Sequence, residues 1–574
     1  MVIQTVSAAP ISNAARVSTA GLARMLLIAP YVALMTVFFL APIAIVVFRS
    51  FEVDSQMHMA ATMSFANYAE VFSSDVLRRV MARTLLIATY TTVLCFVFGF
   101  PTAYLLSRLS KTPATVLMTL ILLPFWVSVL VRLFALTTVL GRNGLINSGL
   151  SWLGLGRLDL LFNTTATVVG MTNYLLPYMI IILYSGMMRV DGTLLVAARS
   201  LGATSWEAFR LVFLPQIGAV MFSAATLVFV LSLGFFLTPA VLGGSDDLTV
   251  ALYIQQQIGN YRWGVASAIG VLLLAVSLFG YFLVIHLVGP SQLVGASSGG
   301  TKGVSGIERL RFSAVTVMLW ILAAASVIIL LVPLAVTVLT SFGEARVIQF
   351  PPKGWTFKWY EEIFTDPLWM RAIAKSLIVA IMTGLVSTLI GLGLARFTST
   401  VRSIGARAII QTLVYSPLVV PVILLAIGMY DIESRLGLQG TKVGLILLHA
   451  VIATPLAYAI LSAALEGLDP ELEAAARALG SSPARAFWTV TVPAIKGAVV
   501  GSLIISFVTS WDEAVIALFQ SDFDKTLPVM IFSYIQSGVK PVVPALASLL
   551  IALVVLGVGA RLWHSYSRHF RKRV

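Results

Sequence analysis

Asp191-Gly-Thr-Leu-Leu-Val-Ala197-Ala198-Arg-Ser-Leu-Gly202-Ala-Thr204-Ser-Trp-Glu207-Ala-Phe209-Arg-Leu-Val-Phe-Leu214-Pro215 is a polar interruption in an apolar chain, and it occurs twice. The second copy runs Asp469-Pro470-Glu-Leu-Glu473-Ala-Ala475-Ala476-Arg-Ala-Leu-Gly480-Ser-Ser482-Pro483-Ala-Arg-Ala-Phe487-Trp-Thr-Val-Thr-Val-Pro493. Asp191, Gly202, Phe209 and Pro215 thus recur 278 positions later. Each copy reads as two short helices about a glycine hinge. Asp191 and Asp469 suit the N-cap, and Pro470 the first helical position. Glu471 and Glu473 complement the positive end of that helix. Gly202 and Gly480 fit a left-handed position just past its C-terminus. The next helix starts at Thr204, whose partner Glu207 completes a capping box, or at Ser482 followed by Pro483. Pro215 and Pro493 are expected to end it. Ala197-Ala198 and Ala475-Ala476 leave a small-residue face that another protein can approach closely. One such hairpin can merely lie on a membrane; two in register ask for a partner.

The rest of the chain sets the medium. Of 574 residues 59% are hydrophobic and 11% charged, with a mean hydropathy of +0.96. No soluble core needs so much apolar residue, so the chain is an all-α polytopic membrane protein. Its net charge of +14 lies in short loops between apolar runs, the positive-inside pattern, and no nucleic-acid partner is expected. The single cysteine, Cys95, sits in an apolar run and excludes an intrachain disulfide. No G-x-x-x-x-G-K-[ST] stretch occurs, so the chain lacks that device for cradling ATP. His58, His286, His449, His564 and His569 form no compact ligand motif, and no nucleophile stands with a base. No cofactor, metal or catalytic residue is therefore assigned to this chain. His449 reads most simply as a helix–helix hydrogen bond.

A spanning helix needs ~20 largely apolar residues. Uncharged runs of that order lie between Arg24 and Arg49, Arg83 and Arg108, Lys111 and Arg132, Asp159 and Arg189, Arg210 and Asp246, and Arg262 and Lys302. Further runs lie between Arg311 and Glu344, Lys375 and Arg396, Arg407 and Asp431, and Lys442 and Glu466, then over 497–520 and between Lys540 and Arg561. That gives twelve transmembrane helices as two parallel six-helix repeats. The chain divides into a tail at 1–24, a first repeat at 25–288 with its hairpin at 190–215, and a Gly/Ser-rich linker at 289–311. A second repeat at 312–563 with its hairpin at 468–493 and a basic tail at 564–574 complete it. Some 18 linker residues span ~20–25 Å, enough to join neighbouring bundles. The first 24 residues read as a retained tail rather than a cleaved signal. Arg108, Lys111, Arg189, Arg199, Arg210, Arg396, Arg402, Arg407, Arg477, Arg485 and Lys496 fall on one side, as does the C-terminal basic run. Both termini and both hairpins are accordingly expected in the cytoplasm.

The repeat extends beyond the hairpin. Pro42…Ser50-Phe51 matches Pro333…Ser341-Phe342, Phe65-Ala-Asn-Tyr68 matches Phe357-Lys-Trp-Tyr360, Pro124 matches Pro417, and Pro177 matches Pro455. An extra segment, Gly141 to Trp152, lengthens the first half. Six spans per half give both the same direction, so an axis along the membrane normal relates them, with a path between.

The Ala-Ala-x-x-x-Gly…Pro pattern resembles the "EAA" coupling loop of type I ABC-importer permeases. It is carried by Ala197, Ala198, Gly202 and Pro215, with Glu207 and Leu214 in the same loop, and by Ala475, Ala476, Gly480 and Pro493. The resemblance implies docking on a cytoplasmic ATPase, two copies of it for two loops, with ATP and Mg on that partner. It also implies a periplasmic solute-binding protein and a bacterial inner-membrane setting. The leading glutamate of the motif is absent: Val196 and Ala474 stand there, with Glu473 one residue early. Leu122-Leu-Pro124-Phe-Trp126…Arg132 and Phe236-Leu-Thr-Pro239 are similar to the first permease of spermidine/putrescine importers. Ser510-Trp511-Asp512-Glu513 and Thr526-Leu-Pro528 are similar to the second. Two usually separate subunits are thus expected in one fused chain.

Asp512 and Glu513 are the informative path residues, since an ionisable group at membrane depth costs ~2.5 kcal/mol or more unless it faces water or a partner. On one helix they would point ~100° apart, so one of the two is expected to face the path. Either it attracts a cation near the outer gate or the pair sits at a helix end among headgroups. Phe235 stands at the matching position of the first half, where the polyamine family often has an acid. Its presence turns expectation from a polycation toward a monoamine, an opine or an amino-acid-like cargo. Trp126, Tyr174, Phe235, Phe236 and Trp511 are the candidate aromatic lining. The expected function is import of polyamines or related small amines by alternating access, with opines, amino acids, phosphonates or ferric iron as other cargoes. A twelve-helix secondary transporter is the rival, and it leaves the paired hairpins unexplained.

Overall fold

The computed structural model describes residues 25–52, 63–288, 313–345, 349–520, 524–537 and 541–571; the expected tail 1–24 and linker 289–311 lie outside them. The described residues are overwhelmingly helical, as befits a medium that offers backbone N–H and C=O groups no partner. Among the described residues nine helices are long and apolar enough to cross a membrane alone, and eleven spans result if each of two bent pairs counts as one. The runs at 407–431 and 497–520 are the two bent pairs, and the last run, 540–561, is met by the shorter apolar helix Val542–Gly557.

The third run, 111–132, splits into Lys111–Leu122, a 3₁₀ turn at Leu123–Trp126 and a new helix, Val129–Leu140. Pro124 opens the tight turn and Val127 is extended, so the first helix cannot continue. The second half repeats the device with Pro417: the pieces Ile404–Leu418 and Val422–Leu436 meet at 87°. Arg132 was expected to flank the third span. It lies instead in the first turns of the new helix and is 3% exposed.

Matching positions make matching contacts. Ser50 Oγ and Tyr68 OH are 2.8 Å apart, and Ser341 Oγ and Tyr360 OH 2.6 Å. Phe51 meets Phe65 edge-on at 5.2 Å, as Phe342 meets Phe357 at 5.5 Å. The second and fourth spans, Asp75–Arg108 and Thr164–Met187, cross at Gly99, where a β-carbon would lie 2.8 Å from Met179 Cγ. Their counterparts, Pro367–Ser399 and Lys442–Glu466, cross at Gly391, where a β-carbon would lie 3.1 Å from Ala457 Cβ. In lipid, van der Waals contact drives helix association, and small residues permit it.

The first span of each half packs on the other half. Met25–Arg49 lies against Val422–Leu436, with Arg49 and Asp431 paired at 2.7 Å. Reciprocally, Ala314–Thr340 lies against the second and fourth spans: Thr102 Oγ1 and Ser326 Oγ are 3.0 Å apart, and Asn173 Nδ2 donates to the Ile329 carbonyl at 2.7 Å. The halves are interlocked. A short helix after each fifth span is also tied to its own second span. Val250 N–H donates to Thr84 Oγ1 at 2.9 Å and Leu527 N–H to Ser376 Oγ at 2.8 Å.

Candidate functional site

Both hairpins fold from their own local chemistry. Asp191 accepts from the Thr193 N–H and Asp469 from the Glu471 N–H, each at 2.9 Å, capping Gly192–Ser200 and Pro470–Ala478. Gly202 and Gly480 have φ of +95° and +92°. The next N–H reaches back in each copy, Ala203 to the Ala198 carbonyl and Ser481 to that of Ala476, both at 3.1 Å, closing the helix end. A β-carbon at either glycine would meet nothing within 4 Å, so backbone conformation, not space, demands glycine there. Thr204 and Glu207 form the capping box, with the Thr204 N–H donating at 2.7 Å and the Glu207 N–H at 3.2 Å. The Thr204 N–H and hydroxyl that Glu207 accepts hold its carboxyl below the usual range. Ser482 caps the matching helix by accepting from the Arg485 N–H at 3.3 Å.

A π-helical turn precedes each proline, Ala208–Phe213 and Phe487–Thr491. Leu214 N–H bonds the Phe209 carbonyl and Val492 N–H that of Phe487, and this wider turn accommodates a proline that brings no donor. Pro215 therefore does not end its helix, as had been expected: the helix runs on from Ser205 to Leu233. After Pro493 the chain does bend, by 76°, between Pro483–Ala494 and Lys496–Asp512.

The two surfaces match. Ala197 and Ala475 are exposed, Ala198 and Ala476 half-buried, and Pro215 and Pro493 exposed, with Leu214 half-buried. Leu201 and Leu479, 278 positions apart, are each 89% exposed. A leucine so bare, at the same place twice and with Trp206 and Trp488 also exposed, is a matching apolar feature of the two hairpins. Sequence reading passed over it because it looked to the alanines; the repeat of leucine before each glycine was the available signal.

The second site is the seam between the halves, where each fifth span ends against the other half's broken third span. Asp512, the last residue of Lys496–Asp512, accepts from the Val129 N–H of the first half through Oδ1 at 2.6 Å. Gly234, 278 positions earlier, packs on Pro421 of the second half, where a β-carbon would come within 3.0 Å. Glu513 is not on that helix. It turns back and accepts from the N–H groups of Val515, Ile516 and Ala517 at 3.0, 3.0 and 3.2 Å, capping Val515–Gln520. Its other neighbour is His449, with Nε2 3.5 Å away, while His449 Nδ1 meets Ser510 Oγ at 2.8 Å. Glu513 is buried and Asp512 half-buried.

Aromatic side chains lie near Asp512. Tyr174 lies 4.8 Å from Phe235 and 6.0 Å from Tyr178, whose ring meets Phe125 edge-on at 4.8 Å; all four are half-buried. Arg132 lies 4.7 Å over the Tyr174 ring. Tyr178, Phe125 and Arg132 had not been singled out for the path. Of the other candidates, Trp126 is 41% exposed, Phe236 is buried toward Phe519 and Phe532, and Trp511 stacks on Phe507 at 5.9 Å.

The family model for binding-protein-dependent transport system inner membrane components matches residues 95–294 and 387–568, and the chain belongs to that family. Two matches in one chain make it a fusion of two permease units, the multi-pass inner-membrane component of an ABC importer and not an enzyme. It is 30% identical over 235 residues to the spermidine/putrescine transport system permease protein PotB of Haemophilus influenzae, covering 40% of this chain and 82% of that protein. To the putrescine transport system permease protein PotI of Escherichia coli it is 28% identical over 250 residues, covering 42% and 88%. A chain in the crystal structure of a bacterial alginate ABC transporter, in complex with an alginate pentasaccharide-bound periplasmic protein, aligns with a TM-score of 0.38 and 19% identity over 48% of this chain and 96% of that one.

Proposed function

We propose that this permease imports polyamines or related small amines, taking them from a periplasmic binding protein and driven by two copies of a cytoplasmic ATPase. The observation that carries the reading is the pair of equivalent hairpins, each presenting a bare leucine, Leu201 or Leu479, beside a glycine hinge. Two like knobs suit two like sockets, and ATP with Mg belongs to the subunits that hold them. The termini and hairpins then lie in the cytoplasm, as the basic loops favour.

In the mechanism, ATP-driven approach of the ATPases moves the hairpins together and levers the fifth spans. Because each fifth span ends against the other half's broken third span, this motion opens the seam at Asp512 and Gly234 toward the binding protein. Asp512 and the Tyr174–Phe235 aromatic wall receive the ammonium, through its charge and through cation–π contact. Hydrolysis lets the hairpins part and returns the path to the inward-facing state. The names of the relatives support an amine cargo, since both PotB and PotI are described as polyamine permeases.

The test is uptake of labelled putrescine into liposomes holding this chain, its ATPase and its binding protein. Uptake that requires all three components and ATP is the expected result. Gradient-driven uptake by this chain alone would instead establish a secondary transporter.

A further inference from the structure

Arg132 is the charged side chain that an amine path leaves unexplained. It is 3% exposed, and its Nε and Nη1 are buried without a hydrogen-bond partner. Stacking over Tyr174 meets the charge in part but leaves those two donors unmade. Unmade donors on a buried cation are among the costliest polar defects a fold can carry, which points to an acceptor absent from the protein itself. The Asp512 carboxylate does not fill the role. Asp512 is close enough for its charge and that of Arg132 to interact, yet no ion pair within 4.0 Å joins them. One Asp512 oxygen is held by the Val129 N–H instead. The seam therefore keeps a guanidinium and a carboxylate apart, with half-buried Tyr174, Tyr178, Phe125 and Phe235 beside them.

We infer that the seam binds an amine that also carries a carboxylate, with its ammonium at Asp512 and its carboxylate on the free donors of Arg132. The inference rests on the reading of this seam as an amine path and narrows its cargo. A bare diamine bound at Asp512 would bring its second ammonium toward a buried guanidinium, a like-charge contact that low dielectric makes expensive. An amino-acid-like amine satisfies both charges and both free donors. Phe235 agrees with it, since this position supplies an aromatic face and no second acid for a second ammonium.

Ornithine and putrescine test the point, because they differ only by one carboxylate, which in ornithine offsets the charge of the second ammonium beside it; 4-aminobutyrate carries one ammonium and one carboxylate alone. The full chain in lipid nanodiscs is titrated with each probe, following tryptophan fluorescence. Ornithine is expected to bind roughly tenfold or more tightly than putrescine, the worth of a charge-assisted hydrogen bond. Arg132→Gln should erase that preference by weakening ornithine far more than putrescine, whereas a merely structural arginine would weaken both probes together. Arg132→Lys keeps the charge without the guanidinium donors and should retain part of the preference, which decides the matter if the glutamine variant fails to fold. Equal affinity for ornithine and putrescine, or a preference for putrescine, overturns the inference and leaves the amine path standing. Silence toward all three probes at millimolar concentration overturns both.

Discussion

Glu473 and Arg396 form a 2.5 Å ion pair that ties the second hairpin to the helix Pro367–Ser399. Thr491 Oγ1 donates to the other carboxylate oxygen at 3.1 Å, and the guanidinium lies 5.1 Å over Phe487. At the matching positions of the first half stand Leu195, Tyr104, Phe213 and Phe209. There Tyr104 meets Phe209 and Phe213 edge-on at 5.5 and 5.4 Å. One joint is ionic and the other aromatic. Glu473, one residue ahead of where the coupling motif has its glutamate, serves the chain's own hairpin.

That asymmetry has a direct readout in hydrogen exchange. Glu473→Gln should cost its hairpin about 1 kcal/mol, between an exposed ion pair and a buried one, and raise exchange over 470–478 about fivefold. Exchange over 192–200 should stay unchanged, and Tyr104→Ala should give the opposite pattern. Equal loosening of both hairpins in either variant would show that the two joints are not independent.

The hinge glycines make a second case. With φ near +95°, Gly202→Ala or Gly480→Ala strains the backbone by about 1–2 kcal/mol although space is open for the methyl group. The strain re-aims Leu201 or Leu479. Uptake is expected to fall about tenfold while the melting temperature holds, because the hairpins contribute little to the interlocked body. Asn tolerates positive φ better, so Gly480→Asn should retain more uptake than Gly480→Ala. Uptake that tracks melting temperature across the three variants would reduce the hinge to a stability element.

What was legible in the sequence was local or repeated. Asp191, Thr204 and Gly202 cap and end helices through bonds to residues two to five positions away, so their residue types announce them. The duplication then put Gly480 and Leu479 in the same light. Helix breaks were less legible, because a run such as 111–132 is equally apolar whether it crosses straight or turns at Pro124. Arg132 was hidden by a reasonable rule: a charge marks the end of a span. That rule fails where a broken helix carries the arginine inward to an aromatic face. Asp512 and Glu513 were misread as neighbours on one helix, because the helix end between them depends on Glu513 capping the next one.

The two crossing glycines should not tolerate substitution equally. At Gly391 a β-carbon meets Ala457 Cβ and the Tyr458 backbone N, both at 3.1 Å, and neither can move without its helix. At Gly99 the closest atom, Met179 Cγ at 2.8 Å, belongs to a flexible side chain and can rotate aside, which leaves the Met179 Cβ at 3.3 Å as the tightest contact. Gly391→Ala should therefore destabilise by about 1–3 kcal/mol, and Gly99→Ala by less. Thermal melts of both variants in detergent decide it, and a larger loss for Gly99→Ala would contradict the packing described for these crossings.

Asp512 and Glu513 are adjacent carboxylates with separable duties, and neutral isosteres separate them. Asp512→Asn keeps an oxygen for the Val129 N–H at the seam, so the fold should be unchanged, while the loss of charge should cut amine uptake about tenfold or more. Glu513→Gln keeps one oxygen for three N–H groups and turns an amide NH₂ toward the remainder, so it should lose about 1–2 kcal/mol of the cap on Val515–Gln520. Its uptake should fall only as far as its folded fraction does. Melting temperature and uptake measured on the same reconstituted samples read both effects. If Asp512→Asn transports normally, the carboxylate is no more than the fastener that holds the second half's fifth span to Val129, and the cation would have to be received by the aromatic wall alone.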